Sequence, residues 1–567
     1  MVHYNNNERF CITFIISSCF VIINSASSVA VTGYMHQGTL RFKLYNGSRN
    51  IPFENKFENF IAVAHFEDYL SDTGWTILKV SSSEKFPEVI QGYWSGYAET
   101  SASFDITVAS WYNTAAGLCP KPFSLECEKL RKYLGSNIVF MIEEAYIYSK
   151  NNEFWYQVLL QLWQLKGMAD AFNGAFVSNA TMLTKNYLLQ LQDDVIGFYL
   201  LQLSGDLYEL SHSLDLVNLQ QRLGPCHTPL LKRVSCSALI KLVRNNVYIS
   251  HVTWSDYCQM LRVLKQYDFP WKKTATSNET VPGRTISFSS YPSVISSIDD
   301  FYVTSGKLVT LETTNGNHNE SLWSFVRDGA QRLVLEPFRV MAANRYNNQW
   351  MIFDAKLYSP AGPLPDKGLL TVAEQIPGRI QSADVTNVLR EQTYWPSYNL
   401  PYFPDIYNES GFTVMRDKYG DIFDYSKTAR AVIFARDHAK IKDFPTMYKM
   451  MRYNDYTRDP VSKCDCTPPY TAHNAISARG DLNDPNGSYP IPQFAYRLHG
   501  GIDLNMLANS GPTYDQVPPF DWSKLPVPVE KPRLQPTRWT FKPIVTDFVG
   551  DLKQPAMFRM PSVLPVF

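Results

Sequence analysis

The sequence predicts one large α+β unit, and three observations carry that reading. Strand-like and helix-like segments interleave along the 567 residues with no clear linker between them. Apolar residues make up 45% of the chain, including 34 Tyr, 33 Phe and 12 Trp, which is ample for one extensive core and too hydrophobic for disorder. No internal repeat or low-complexity segment divides the chain. Length alone suggests about four domains, but the missing linkers outweigh that prior. Lys+Arg and Asp+Glu balance at 53 each, so the chain has no electrostatic footprint for nucleic acid.

The chain opens on an apolar run, FCITFIISSCFVIIN at 10–24, followed by Ser25-Ala26 and Ser28-Val29-Ala30. An apolar stretch of about 7–15 residues before an A-x-A-like site is the layout of a signal peptide. A membrane span needs about 20 apolar residues, and this run is broken by Asn24 to Ser28. Cleavage after Ala26 or Ala30 is expected, so residues 1–30 form the leader, and no stable membrane insertion follows its removal. Sequons at Asn46, Asn179, Asn278, Asn319, Asn408 and Asn486 fit a secreted or lysosomal glycoprotein. Seven of the nine cysteines remain after the leader. An odd number leaves at least one thiol unpaired. Cys119 and Cys127 flank a short Pro-containing loop that suits a local disulfide, and Cys464 and Cys466 are spaced to close a small ring.

Apolar spacing predicts helices over 154–172 and 187–203. Residues 236–243 and 247–254 read as two strands joined at 244–246, and 255–267 then reads as a helix. Further strands are expected near 285–290, 307–313 and 350–354. Beyond 510 the Pro-rich chain reads as an extended wrapping tail. The sequence has no G-x-S-x-G, H-E-x-x-H, paired C-x-x-C, EF-hand loop, Walker A loop or G-x-G-x-x-G after a strand. No cofactor or metal is therefore expected.

Cys236 opens the first of those strands among the small neighbours Ser235, Ser237 and Ala238. Taken by itself it reads as a buried structural cysteine. Longer blocks change the reading: CSALIK from Cys236, HVTWSDYCQMLRVLKQY from His251, SFSSYPSVISSIDDFY from Ser287, YNNQWMIFD from Tyr346, YWPSYNLPYFPDIYNESG from Tyr394, MRYNDY from Met451, NAISARGDLNDPNGSYP from Asn474 and RLHGGID from Arg497. Together they resemble the phospholipase B-like family of N-terminal nucleophile (Ntn) hydrolases, nearest the lamina-ancestor-like members, over most of the chain.

The resemblance implies a four-layer αββα sandwich, a single large domain made as a precursor and cut between Ser235 and Cys236. The halves, 31–235 and the catalytic 236–567, stay associated. The freed α-amine, with an ordinary pKa of about 7.7–8, then acts as base for its own thiol. The resemblance also places site residues at His251, Thr253, Trp254, Asn399 and Arg430. Asn399 would donate to the tetrahedral oxyanion, and Arg430 would be a fixed cation lowering the thiol and amine pKa values. Thr253 and Trp254 would shape the pocket, and His251 would position neighbours or assist cleavage. Without the resemblance, His251 is a hydrogen-bonded strand histidine, Trp254 core, Asn399 a turn residue and Arg430 a surface ion pair. Asn347, Asn348, Gln349, Asn454, Arg479, Asp481, His499 and Asp503 lie in polar blocks that suit loop scaffolding, with substrate contact second. Two departures from the family pattern, a shortened stretch before Tyr346 and the close Cys464–Cys466 spacing, remove no site residue.

The implied reaction is acyl release from a lipid ester through a thioester at Cys236. The alternatives are an amidase on N-acyl lipids or peptides, and a catalytically weak glycoprotein kept for binding or signalling.

Overall fold

A computed structural model describes residues 28–46, 59–203, 205, 207–216, 236–244, 246–297, 301–327, 347–360, 362–491, 494–501 and 507–545. Residues 1–27 of the leader, Cys226, Ser235, Tyr346 and Asp503 lie outside the described residues.

The chain begins with a meander of four strands, β1 (Ser28–His36), β2 (Thr39–Asn46), β3 (Phe60–Tyr69) and β4 (Trp75–Ser82). Four helices used below follow: α1 (Glu88–Ala102), α2 (Leu125–Tyr148), α3 (Glu153–Phe172) and α4 (Leu207–Ser213). After Cys236 come β5 (Ser237–Val243), β6 (Asn246–Val252), β7 (Trp254–Asp256), β8 (Arg262–Asp268), β9 (Thr285–Ser290), β10 (Phe301–Thr304), β11 (Leu308–Thr314), β12 (Asn348–Asp354), β13 (Leu370–Ile376), β14 (Arg379–Asp384) and β15 (Tyr394–Ser397). Helices α5 (Ala429–Asp437) and α6 (Phe444–Met451) pack near the site.

Eleven strands form one sheet in the order β14-β13-β12-β11-β10-β9-β8-β4-β3-β1-β2. The β4–β8 pair is parallel, Trp75 opposite Arg262 through Ser81 opposite Asp268. It joins strands from the two sides of Cys236 at the middle of the sheet. A second sheet, β15-β5-β6, carries the hairpin that follows Cys236.

Side chains on β5 alternate between two cores, as the two-residue period of a strand requires. Ala238 and Ile240 pack with Leu311, Met351 and Val372 of the large sheet. Leu239 points the other way, into a cluster with Ile433 and Phe434 of α5 and Met447 of α6. The opposite face of the large sheet, with Tyr267, Phe288 and Trp350, packs with Tyr93, Trp94 and Trp163 of α1 and α3. These two helices meet backbone to backbone. A Cβ on Gly96 would sit 1.8 Å from the Gln164 carbonyl oxygen, and one on Gly167 would sit 1.9 Å from that of Tyr93.

The helix expected at 154–172 is present as α3, with the Asn152 side chain accepting from the Trp155 amide at its start. The hairpin, the strands near 285–290, 307–313 and 350–354, and the extended tail are also present; the tail lays Arg533 over the Tyr112 ring, 3.5 Å from its centroid. Two expectations are corrected. Residues 255–267 are not a helix but the end of β7, a short 3-10 turn (Tyr257–Gln259) and β8. A central strand buried on both faces lacks the inside-outside alternation of an edge or surface strand, and its apolar residues then fit helical spacing as well. The helix expected at 187–203 breaks into Lys185–Leu189 and two 3-10 turns, Gln190–Asp194 and Phe198–Leu203. Gly197, a poor helix former, lies at the second break, where its N–H donates to the Asp194 carbonyl.

Disulfides join Cys119 to Cys127 and Cys464 to Cys466, and Cys258 is also disulfide-bonded. Among the described residues, Cys236 is the cysteine that is in no disulfide. Ser28-Val29-Ala30, placed in the leader by sequence, are the first residues of β1, with Ala30 opposite His65. Among the described residues, no helix is long and apolar enough to cross a membrane. The sequon residues Asn179, Asn278, Asn408 and Asn486 are exposed, and Asn319 is half-buried.

Candidate active site

Cys236 precedes β5, is 2% exposed and has φ 54°. A residue with a Cβ is strained in that left-handed region, at a cost of about 1–3 kcal/mol. The next residue, Ser237, is pinned by its hydroxyl, which donates to the Ile476 carbonyl at 2.9 Å.

Arg430, near the start of α5, organises what surrounds the cysteine. Its Nη1 donates to the Cys236 carbonyl at 2.6 Å and to Asn399 Oδ1 at 2.7 Å. Its Nη2 donates to the Tyr398 carbonyl at 2.6 Å. The guanidinium lies over the Trp254 ring, 4.4 Å from its centroid. Arg430 is therefore a buried clamp on neutral oxygens rather than a surface ion pair. Burial pulls it down to about 9, against the opposing pull of Cys236 and Tyr398, and it stays cationic at neutral pH.

Asn399 follows β15 with φ 69°, a conformation Asn tolerates better than most residues. Arg430 holds its oxygen, and its Nδ2 donates to the Thr314 carbonyl at 2.7 Å. The oxygen and one N–H of that amide are thus committed, which leaves its second N–H as a donor. The loop carrying Asn399 rests on Glu374. That carboxylate accepts from the Tyr402 and Phe403 amides at 2.7 and 3.0 Å and from Gln349 Nε2 at 2.6 Å.

Burial raises Glu374 to about 7, with these donors pulling the other way. An acid whose folded pKa lies above its unfolded value stabilises the fold below the unfolded pKa and loses that contribution as pH rises through the folded one. From pH 4.5 to 7 the Glu374 term should therefore fall by on the order of 3 kcal/mol. Glu374→Gln removes it. The unfolding free energy of the wild type minus that of the variant, measured with denaturant, should fall by about that amount between pH 4.5 and 7.5.

Arg430, Asn399 and Trp254 line a cavity of about 140 Å³. Its other walls are apolar side chains such as Leu400, Phe412, Phe423 and Phe494, and the polar loop Thr314–His318. Cys236, His251 and Thr253 are not among the lining residues; Cys236 meets the cavity wall through Arg430, which donates to its carbonyl. His251 is buried, with Nε2 2.8 Å from the Glu312 carbonyl oxygen and Nδ1 3.4 Å from the Thr253 hydroxyl. Nε2 must carry the proton to bond a carbonyl, so Nδ1 accepts from Thr253. Burial lowers the ring to about 4, with Arg262 adding to the effect, which keeps it neutral. The pair braces the hairpin behind the nucleophile. Trp254 donates its indole N–H to the Ile476 carbonyl at 3.1 Å, the same oxygen that holds Ser237.

Of the polar blocks, Asn454 and the Arg479–Asp481 pair are scaffolding. Asn454 Nδ2 donates to the Ala472 and Ser477 carbonyls at 3.0 and 2.7 Å. Arg479 grips Asp481 through two bonds, and the Tyr257 hydroxyl donates to Asp481 at 2.8 Å. Asn347 lies nearer the cavity, donating to the wall residue Glu209 at 2.7 Å. Sequence reasoning missed Glu209, His473 and the Thr314–His318 loop, all on the cavity wall. The loop's Asn-Gly-Asn pattern reads as a plain turn, and Glu209 and His473 carry no spacing signal.

Family comparison agrees with this geometry. The Phospholipase B family model matches residues 62–345 and 345–546. A mouse protein named "Putative phospholipase B-like 2" is 40% identical over 521 residues, covering 85% of this chain and 84% of its own. A Caenorhabditis elegans protein named "Putative phospholipase B-like 1" is 37% identical over 526 residues, covering 85% and 87%. The Dictyostelium discoideum "Phospholipase B-like protein B" is 33% identical over 502 residues, covering 82% and 81%. The fold is that of a large mixed α+β domain with a largely apolar cavity, and the Arg430 on its wall donates to the Cys236 carbonyl. The chain belongs to the phospholipase B family.

Proposed function

We propose that this chain is a cysteine-type Ntn hydrolase that releases acyl groups from lipids, acting in a secreted or lysosomal compartment. One observation carries the reading most. Cys236, which is in no disulfide, has a strained φ, and its carbonyl is held by the same arginine that, with Asn399 and Trp254, walls an apolar cavity.

The precursor matures at the Ser235–Cys236 bond. The Cys236 thiol attacks the Ser235 carbonyl carbon, and the peptide nitrogen departs as the α-amine of Cys236. Water then hydrolyses the resulting thioester and frees the Ser235 carboxylate. The strained φ favours the shift by raising the energy of the uncut state. In turnover the α-amine takes the thiol proton, and the thiolate attacks the substrate carbonyl. The uncommitted N–H of Asn399 meets the oxyanion, and the leaving alcohol takes the proton back; water, deprotonated by the α-amine, then attacks the acyl-thioester, releasing the fatty acid, and the departing sulfur recovers its proton. Arg430 favours the thiolate and the unprotonated amine by its fixed positive charge.

The two packed sheets, with α1 and α3 outside one and α5 and α6 outside the other, support the αββα reading. The β4–β8 pairing supports lasting association of the fragments, since the cut leaves one central sheet built from both. Leader cleavage after Ala26 leaves β1 whole.

Mass spectrometry after brief incubation with a decanoyl ester tests the reading, with a decanoyl adduct expected on the peptide beginning at Cys236. No adduct, while decanoate is still released, would overturn the thioester route. Fatty-acid release from phosphatidylcholine, set against release from N-acyl amides, separates lipase from amidase; release from neither leaves the binding glycoprotein. Asn399→Ala should fold and lose about 10²–10³ in kcat, the usual effect of deleting one oxyanion donor.

A further inference from the structure

His473 lies on the wall of the same cavity and is 4% exposed. Its loop is fixed by Asn454, whose Nδ2 bonds the Ala472 and Ser477 carbonyls. Asn483 fixes the ring. Asn483 Oδ1 accepts from the Ala472 amide at 2.8 Å, so its Nδ2 is the end that reaches His473 Nδ1 at 3.0 Å and the Phe494 carbonyl at 2.6 Å. His473 Nδ1 is therefore an acceptor, and the ring proton sits on Nε2. Nε2 is buried and has no hydrogen-bond partner among the described residues. The ring stands between Trp254 and Phe494, with centroid separations of 6.4 and 6.3 Å. Trp254 in turn carries the Arg430 guanidinium on its face.

A buried donor left without an acceptor is costly, and such groups in folded proteins call for an explanation. His473 is a wall residue of a cavity whose other lining is largely apolar, so a small turn of the ring is enough to present this buried donor to a bound molecule. It is also permanently uncharged: burial, reinforced by Arg497 and Arg430, holds the ring at about 3. With Nδ1 occupied and Nε2 protonated, His473 has no lone pair to offer and cannot serve as a general base. What remains to it is donation to a neutral oxygen.

We propose that His473 is a substrate-contacting residue whose Nε2–H donates to the carbonyl oxygen of a neutral acyl ester or amide bound in the cavity. The assignment rests on the reading of the cavity as the acyl-substrate site. It goes beyond that reading by naming a donor distinct from Asn399 and by fixing the tautomer that makes the donation.

The test uses the mature, processed protein and two probes, N,N-dimethyldecanamide, which has a strong carbonyl acceptor and resists hydrolysis, and undecane, which has none. His473→Phe should weaken binding of the amide about tenfold and leave undecane binding unchanged. His473→Gln, which keeps an N–H, should recover part of the loss. With ¹⁵N-labelled histidine, the His473 Nε2–H signal should stay that of a neutral ring from pH 5 to 8 and shift on addition of the amide. Equal amide binding by wild type and His473→Phe, or a signal indifferent to the amide, overturns the assignment while leaving the cavity reading intact. Failure of the wild type to bind either probe overturns the cavity reading and this assignment with it.

Discussion

Cys236→Ala is expected to give a folded chain that is neither cut at the Ser235–Cys236 bond nor able to release fatty acid from an ester. The substitution removes one buried sulfur, so the loss of stability should stay within the usual range for a small truncation, on the order of 1 kcal/mol. Turnover should fall to the uncatalysed level, since the only nucleophile in the scheme is gone. Cys236→Ser separates the two reactions. A hydroxyl can still attack the Ser235 carbonyl, but it is far less ionised than a thiol, so the α-amine has a harder proton to take in turnover. Slow processing with little turnover is expected. Release of decanoate by Cys236→Ala at the wild-type rate, measured on protein repurified to homogeneity, would mean that another group does the chemistry.

Arg430→Met should be the most damaging change that leaves the nucleophile in place. Three acceptors lose their donor at once: the Cys236 carbonyl, the Tyr398 carbonyl and Asn399 Oδ1. Each buried acceptor left unpaired costs about 1–3 kcal/mol, so a loss of several kcal/mol in unfolding free energy is expected. The catalytic loss should be larger than for Asn399→Ala. The same change frees the Asn399 amide to rotate, removes the cation beside the thiol and releases the ring contact with Trp254. Arg430→Lys should do little better, because one ammonium cannot reproduce the planar fork that spans these oxygens. Denaturant unfolding and kcat/KM on a decanoyl ester read the two effects separately. A lysine variant with wild-type kcat/KM would contradict the clamp.

Local structure was legible where one period dominates. Residues 154–172 repeat at helical spacing and begin after a capping Asn, and they form α3. The hairpin was legible because two short apolar runs flank a polar turn, and Arg244 adopts φ 49° there. The 255–267 segment was misread for a physical reason. The strand Arg262–Asp268 sits inside the sheet between β4 and β9, so both its faces are largely buried, polar Arg262 and Lys265 included, and no alternation of buried apolar with exposed polar residues marks it.

The site was legible only in part, because its logic is not local. Arg430 and Cys236 meet across 194 residues, and the contact is to a backbone oxygen that has no side-chain signature. No spacing rule could pair them; the resemblance to a known family did. His251 was expected near the chemistry, and the fold instead turns its ring toward the Glu312 carbonyl behind the hairpin. His473 carried no signal at all. Its meaning depends on which end of Asn483 faces it, and that is fixed by the Ala472 amide, a contact that exists only once the loop is folded.

The most direct test is amino-terminal sequencing of the reduced, purified wild-type protein after exposure to acid. A polypeptide beginning Cys236-Ser237-Ala238-Leu239 is predicted, together with an upstream fragment that separates from it only on denaturation. An uncut chain alone, or a new amino terminus at any other residue while the protein still hydrolyses acyl esters, would contradict the account.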